Sequence, residues 1–159
     1  MLGRELEFPE SIGFLLENPA FLDRYSGYSN LKLLAEIQNN ISDAEIKEVL
    51  SLVGLNEEAS KKKYRKYSLG MKQRLGIAAA IMENPDIIIL DEPTNALDTA
   101  GVKLVKDILQ KQKERGALCI LSCHDLPVLE SLSDEIIKLE EGKIIEHISL
   151  SKAGGGTEF

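Results

Sequence analysis

The sequence predicts an α/β fold: a mostly parallel sheet interrupted by a helical segment. Three observations carry this expectation. Ile87-Ile88-Ile89-Leu90 is an apolar run without alternation, which suits a strand buried on both faces by covering helices. A second apolar run, Leu118-Cys119-Ile120-Leu121, follows a stretch with helical character. From about 25 to 82 the strand pattern gives way to a largely helical one.

The elements read in order as follows. Residues 11 to 16 form a short strand, broken by Asn18-Pro19, and Asp23 to Ser29 reads as a loop. Leu31, Leu34, Ala35 and Ile37 recur at helical spacing. Ser42-Asp43-Ala44-Glu45 is a capping box opening a second helix, with Ile46, Val49, Leu50 and Val53 on one face and Gly54 as its stop. Ser68 is suited to cap a third helix that runs to about Met82 and ends at Asn84-Pro85. Strand 87–90, helix 101–114, strand 117–122, helix 126–132 and strands 135–139 and 143–148 complete an α/β half-core. Gly142-Lys143 is best read as a hairpin turn with a solvated lysine.

Charge appears abruptly at the carboxyl end of the strand 87–90, as Asp91-Glu92. In open α/β sheets that edge is where ligands bind. Of two neighbouring acids there, the first can hold Mg²⁺, which prefers a few carboxylates plus water and phosphate oxygens. The second can polarise or deprotonate an attacking water. The bland alternative is a solvated Asp-Glu turn. The Ser68 helix is a second device, because its first-turn N–H groups lack partners within the helix and carry partial positive charge. With the Ser68 hydroxyl and the Gly70 backbone it offers a site for a terminal phosphate.

The stretch Tyr67 to Asp98 resembles the signature-to-D-loop region of ABC-type ATPases, the ATP-hydrolysing subunits of ABC transporters. Tyr67-Ser68-Leu69-Gly70-Met71, followed by Lys72-Gln73-Arg74, matches the signature motif. Ile87 to Asp91 resembles Walker B, Glu92 falls on the catalytic glutamate, and Asn95-Ala96-Leu97-Asp98 resembles the D-loop. In Ser122-Cys123-His124-Asp125, His124 matches the switch histidine, and Ile12 to Glu17 resembles the strand entering the Q-loop. The resemblance covers roughly residues 10 to 148, and ordered motifs at matching spacing are more specific than any one of them.

The resemblance implies the C-terminal part of a P-loop NTPase core, RecA-like with a mostly parallel sheet and an inserted helical subdomain. Its expected divisions are 1–24 (end of the N-terminal core and Q-loop region), 25–83 (helical subdomain with signature), 84–150 (C-terminal α/β core) and 151–159 (linker-like tail). ATP and Mg²⁺ are the implied cofactors of the intact protein. Asp91 and Glu17 would approach the metal, and Glu92 would orient or deprotonate water. His124 would sense the γ-phosphate. Ser68, Leu69, Gly70 and Met71 would reach nucleotide held by a second ATP-binding subunit in a head-to-tail dimer, with Asp98 tying the two sites together. Asp23 to Asn30 would face a membrane permease subunit.

The chain departs from the family pattern in places. Leu69 and Met71 replace the first glycine and the glutamine of the commonest signature, and Glu17 replaces the usual glutamine. The loop Gly-x-x-x-x-Gly-Lys-Ser/Thr does not occur in these 159 residues. The expectation is therefore an ABC ATPase lacking its N-terminal third, with little or no activity as an isolated piece. An exposed apolar face is expected where the missing strands would pack, with self-association as its consequence.

Composition agrees with a soluble globular unit. Of 159 residues, 43% are hydrophobic and 28% charged. The net charge of −7 argues against a nucleic-acid surface. The basic cluster Lys61-Lys62-Lys63-Tyr64-Arg65-Lys66 reads as a solvated surface loop. Cys119 and Cys123 read as reduced thiols. There is no signal peptide and no run of membrane-spanning length. The expected location is thus the cytoplasm, peripheral to the inner face of the membrane through a permease. The tail from Ala153 to Phe159 has linker composition, as a vector-derived remnant would.

Two other classes compete. One is a non-catalytic, permease-docking module. The other is the C-terminal lobe of a chromosome-maintenance or DNA-repair ATPase, which expects a long heptad segment before the signature; Glu57 to Lys66 is short and aperiodic. Glycoside cleavage is disfavoured, because adjacent acids on one strand end are poorly placed to flank a bond. The signature and Ile12 to Pro19 resemble bacterial exporters of the peptide-antibiotic resistance kind.

Overall fold

The computed structural model describes residues 11–150 except 18, 39 and 40. The expected tail lies outside the described residues. The chain divides into two compact units, one ending at Ser122 and one beginning at Cys123.

The first unit runs β1 (Ile12–Leu15), α1 (Gly27–Gln38), α2 (Asp43–Leu52), α3 (Glu57–Lys61), a 3-10 turn (Tyr64–Lys66), α4 (Leu69–Ile81), β2 (Ile87–Asp91), α5 (Thr99–Glu114) and β3 (Leu118–Ser122). Helix starts are set by local chemistry. Ser42, Asn56, Ser68 and Asp98 each accept a bond from the backbone N–H three residues on. The Ser42–Glu45 capping box is formed in both directions. Gly54 ends α2 with a φ of +74°, and Leu55 N–H bonds back to the Leu50 carbonyl.

Two local expectations change. Helix α1 begins at Gly27, inside the segment read as a loop, because the Ser26 hydroxyl accepts from Ser29 N–H at 3.0 Å. Glycine at the start hides this signal from propensity. The buried Asn30 closes the preceding loop, its side chain bonding Leu22 N–H, Leu22 O and Ser26 O. The basic cluster is not a simple solvated loop either. Lys61 and Lys62 pair at i,i+4 with Glu57 and Glu58 along α3. Tyr64 is buried, its hydroxyl donates to Pro19 O, and Lys72 Nζ stands 5.0 Å from its ring centre. Among the described residues, the segment immediately before α4 holds no long heptad helix: it consists of the five-residue α3 and the 3-10 turn.

The three strands form a parallel sheet in the order β1-β2-β3, with Leu15 beside Leu90 and Asp91 beside Ser122. Helix α4 is the hub of the unit. It packs on β1 and β2 as well as on α1 and α2. Leu75, Gly76, Ile77, Ala78, Ala80 and Ile81 are all buried, as befits a helix that is apolar nearly all round. Gly13 and Gly76 allow this packing. A methyl group on Gly13 would lie 1.8 Å from the Ala80 carbonyl oxygen, and one on Gly76 2.5 Å from Leu15. Strand β2 is not buried on both faces: Ile88 and Leu90 are, while Ile87 and Ile89 are half-buried.

The second unit holds α6 (Leu126–Leu132) and the antiparallel hairpin β4 (Glu135–Glu140) and β5 (Lys143–Ser149). Asp125 caps α6. Glu141 and Gly142 both have positive φ, +48° and +75°, the turn that matches the twist of a two-stranded hairpin.

Candidate functional site

The amino end of α4 is an open, capped helix start. Ser68 is exposed, and its hydroxyl accepts from Met71 N–H at 3.2 Å. Leu69 is exposed too, and Gly70 and Met71 are half-buried. These residues line a cavity of about 600 Å³ together with Arg74 and, from the loop before α5, Ala96, Leu97 and Asp98. The loop approaches the helix closely, since a methyl group on Gly70 would stand 3.0 Å from the Ala96 carbonyl oxygen. Ala96 itself has a φ of +60°, unusual for a residue other than glycine. Asp98 lines the cavity and also caps α5, accepting from Gly101 N–H at 2.8 Å.

The acid pair closes β2. Asp91 is its last residue, and both Asp91 and Glu92 are half-buried. Asp91 Oδ1 accepts from the Ser122 hydroxyl at the end of β3. Glu92 takes a left-handed φ of +48°. Glu17 is exposed two residues past the end of β1, so it shares the carboxyl edge of the sheet with Asp91, as the Leu15–Leu90 register requires. Among the described residues no group of three His, Cys, Asp or Glu could hold a metal. A Mg²⁺ at Asp91 would therefore draw its remaining ligands from water and phosphate, which is the chemistry Mg²⁺ favours. His124 lies in the second unit, exposed in the loop before α6.

Sequence reading assigned no part to Gln73 or Ser122 beyond their place in a motif. Gln73 is 4% exposed, and its Nε2 donates to Glu92 O at 2.9 Å. An uncharged amide between Lys72 and Arg74, leading into the apolar stretch Leu75 to Ile81, was the available signal, because a buried amide needs a partner. Of the two thiols, Cys119 lies in β3, and burial pushes it above its usual pKa against the pull of Arg115.

A family model described as ABC transporter matches residues 3–95, more than half of the chain. The uncharacterized ABC transporter ATP-binding protein YybJ of Bacillus subtilis (strain 168) is 45% identical over 143 residues, 90% of this chain and 65% of that protein. The bacitracin transport ATP-binding protein BcrA of Enterococcus faecalis is 40% identical over 142 residues, 89% of this chain and 46% of that protein. A solved dimeric bacterial ABC transporter cassette superposes with a TM-score of 0.80 at 25% identity, over 87% of this chain and 62% of that one. The chain thus spans about half to two thirds of the length of these relatives. From the match over residues 3–95 and these likenesses, the chain belongs to the ABC transporter family.

Proposed function

We propose that these residues form the signature and carboxylate portion of an ATP-hydrolysing subunit that drives transport through a separate membrane protein. One observation carries the reading. The capped start of α4 and the loop Ala96–Asp98 line one open cavity, and the same helix bonds the backbone of the acid pair at the sheet edge.

The division of labour follows from chemistry. Phosphoryl transfer depends on positioning and charge neutralisation. The Ser68 hydroxyl and the first-turn N–H groups of Leu69 and Gly70 would bind the terminal phosphate of ATP held by a neighbouring ATP-binding subunit, with Met71, whose N–H bonds the Ser68 hydroxyl, lining the same cavity. Asp98 would lie at that shared surface. Asp91, with Glu17 beside it on the same sheet edge, would hold Mg²⁺, which neutralises phosphate charge when bound. Glu92 would orient or deprotonate the attacking water, and His124 would steady the γ-phosphate. No helix among the described residues is long and apolar enough to cross a membrane. Membrane contact would pass through a permease on the cytoplasmic side. The bacitracin transport relative supports transport of a related compound as the process served.

The signature half can be tested by complementation. A full-length ABC cassette whose own signature serine is changed to arginine should regain Mg-ATP hydrolysis when mixed with this chain. Ser68→Arg in this chain should abolish the rescue. No rescue at any ratio rejects the reading. Alone, the 159-residue chain should release phosphate at or near background. Robust turnover lost on Glu92→Gln would show that a phosphate cradle is present that the sequence motif does not reveal.

A further inference from the structure

A left-handed φ at a residue other than glycine persists only where its surroundings over-determine it. Glu92 is such a residue, and both of its backbone polar groups are held from outside its own strand. Its N–H donates to the Ser122 hydroxyl at 3.1 Å and to the Ser122 carbonyl at 3.2 Å. Its C=O accepts from Gln73 Nε2 at 2.9 Å and, within the turn that follows, from Asn95 N–H at 3.1 Å; Gln73 is the one of these two donors that belongs to another element of the fold. The rotation that aims Glu92 thus lies between an anchor on β3 and an anchor on α4. The Ser122 hydroxyl, while accepting from Glu92, donates to Asp91 Oδ1. One run of hydrogen bonds links Gln73, Glu92, Ser122 and Asp91.

We propose that Gln73 and Ser122 are positioning residues that fix the Glu92 backbone and the Asp91 carboxylate, and that Gln73 ties both to the helix whose amino end carries Ser68. This deepens the functional reading and rests on it for its catalytic meaning. Gln73 stands one turn into α4 from the cavity. A shift of that helix, driven by whatever occupies its capped end, must move the Glu92 carbonyl or break the bond. Phosphate recognition at α4 would in this way set the aim of the water-activating carboxylate in the same chain. A buried amide at position 73 has a structural cost unless it is paired, and here its pairing falls on the residue whose orientation matters most.

Amide hydrogen exchange on the 159-residue chain, followed by NMR, tests this without nucleotide or turnover. Its outcome is therefore separate from that of the complementation assay. In the unaltered chain the Gln73 side-chain amide protons and the Glu92 N–H should exchange at least about tenfold more slowly than in an unstructured peptide. Gln73→Met keeps the length and removes the donor, and Ser122→Ala alters only an exposed strand end. Each should raise Glu92 N–H exchange about tenfold and shift its carbon resonances away from left-handed values, with Leu75 to Ala80 unchanged. Unchanged Glu92 exchange in both variants overturns the proposal. So does a loss of protection spread equally over α4 and β2, which would mark Gln73 as packing alone. Should Gln73→Met fail to fold, fast exchange of the Gln73 side chain in the unaltered protein would still overturn it.

Discussion

The two faces of the parallel sheet have nearly the same chemistry and opposite fates. One face carries Gly13, Leu15, Ile88 and Leu90, sealed to within 2% exposure at Leu15, Ile88 and Leu90. The other carries Ile12, Phe14, Ile87, Ile89, Leu118 and Ile120, in rows aligned by the register Ile12–Ile87–Leu118 and Phe14–Ile89–Ile120. There Phe14 is 56% exposed and Ile120 49%. An apolar, β-branched strand is competent to be buried on both sides. Whether it is buried depends on a covering element, and α4 packs on β1 and β2 through the room left by Gly13 and Gly76. The open face is an exposed apolar surface. Contiguous apolar patches of this kind mark surfaces that other protein covers.

If the two faces differ as described, substitutions on them should separate cleanly. Ile88→Ala removes a fully buried side chain and should cost about 4 kcal/mol in urea unfolding, through lost transfer energy and a cavity. Gly13→Ala should cost about 3 kcal/mol, because its new carbon would meet a backbone carbonyl that cannot swing aside. A loss under about 0.5 kcal/mol for either change would break the comparison. On the open face, Phe14→Ser combined with Ile120→Thr should alter stability by no more than about 0.5 kcal/mol. The pair should instead lower concentration-dependent self-association in sedimentation velocity. A large loss of stability there would mean that the face is covered in the folded chain. Cys119 sharpens the contrast most finely. Its raised pKa leaves less thiolate at neutral pH, so maleimide labelling should be slower than for an ordinary thiol and should accelerate only at more alkaline pH. Labelling at the rate of an exposed thiol would place Cys119 outside the covered layer.

The sheet edge and the signature helix were legible in the sequence to different degrees. Ser42, Ser68, Asp98 and Asp125 cap their helices through bonds to residues three positions away. Such bonds are local, so the sequence contains both partners side by side. The hairpin at Glu141-Gly142 is local in the same sense. The site needed more. Ser68 and Asp98 are 30 positions apart in the chain, and only the packing of α4 against the loop after β2 puts them on one cavity. Motif order pointed to each residue, but not to the cavity they share. Gln73 and Ser122 lie further still from that kind of inference. Their bonds to Glu92 span 19 and 30 positions, and no periodicity or spacing encodes them.

The sequence by itself determined the strands and the longer helices in order, the Ser42 and Ser68 helix starts and the family motifs, but not α3 or the start of α1, because only the former follow plainly from neighbours along the chain and from residue type. The tertiary structure alone decided which face of β2 is sealed, that Tyr64 is buried amid a run of lysines, and that Glu92 is held between α4 and β3. These outcomes depend on which distant elements come to rest against each residue. Burial and hydrogen bonding at long sequence separation are properties of the packed chain, not of any segment within it.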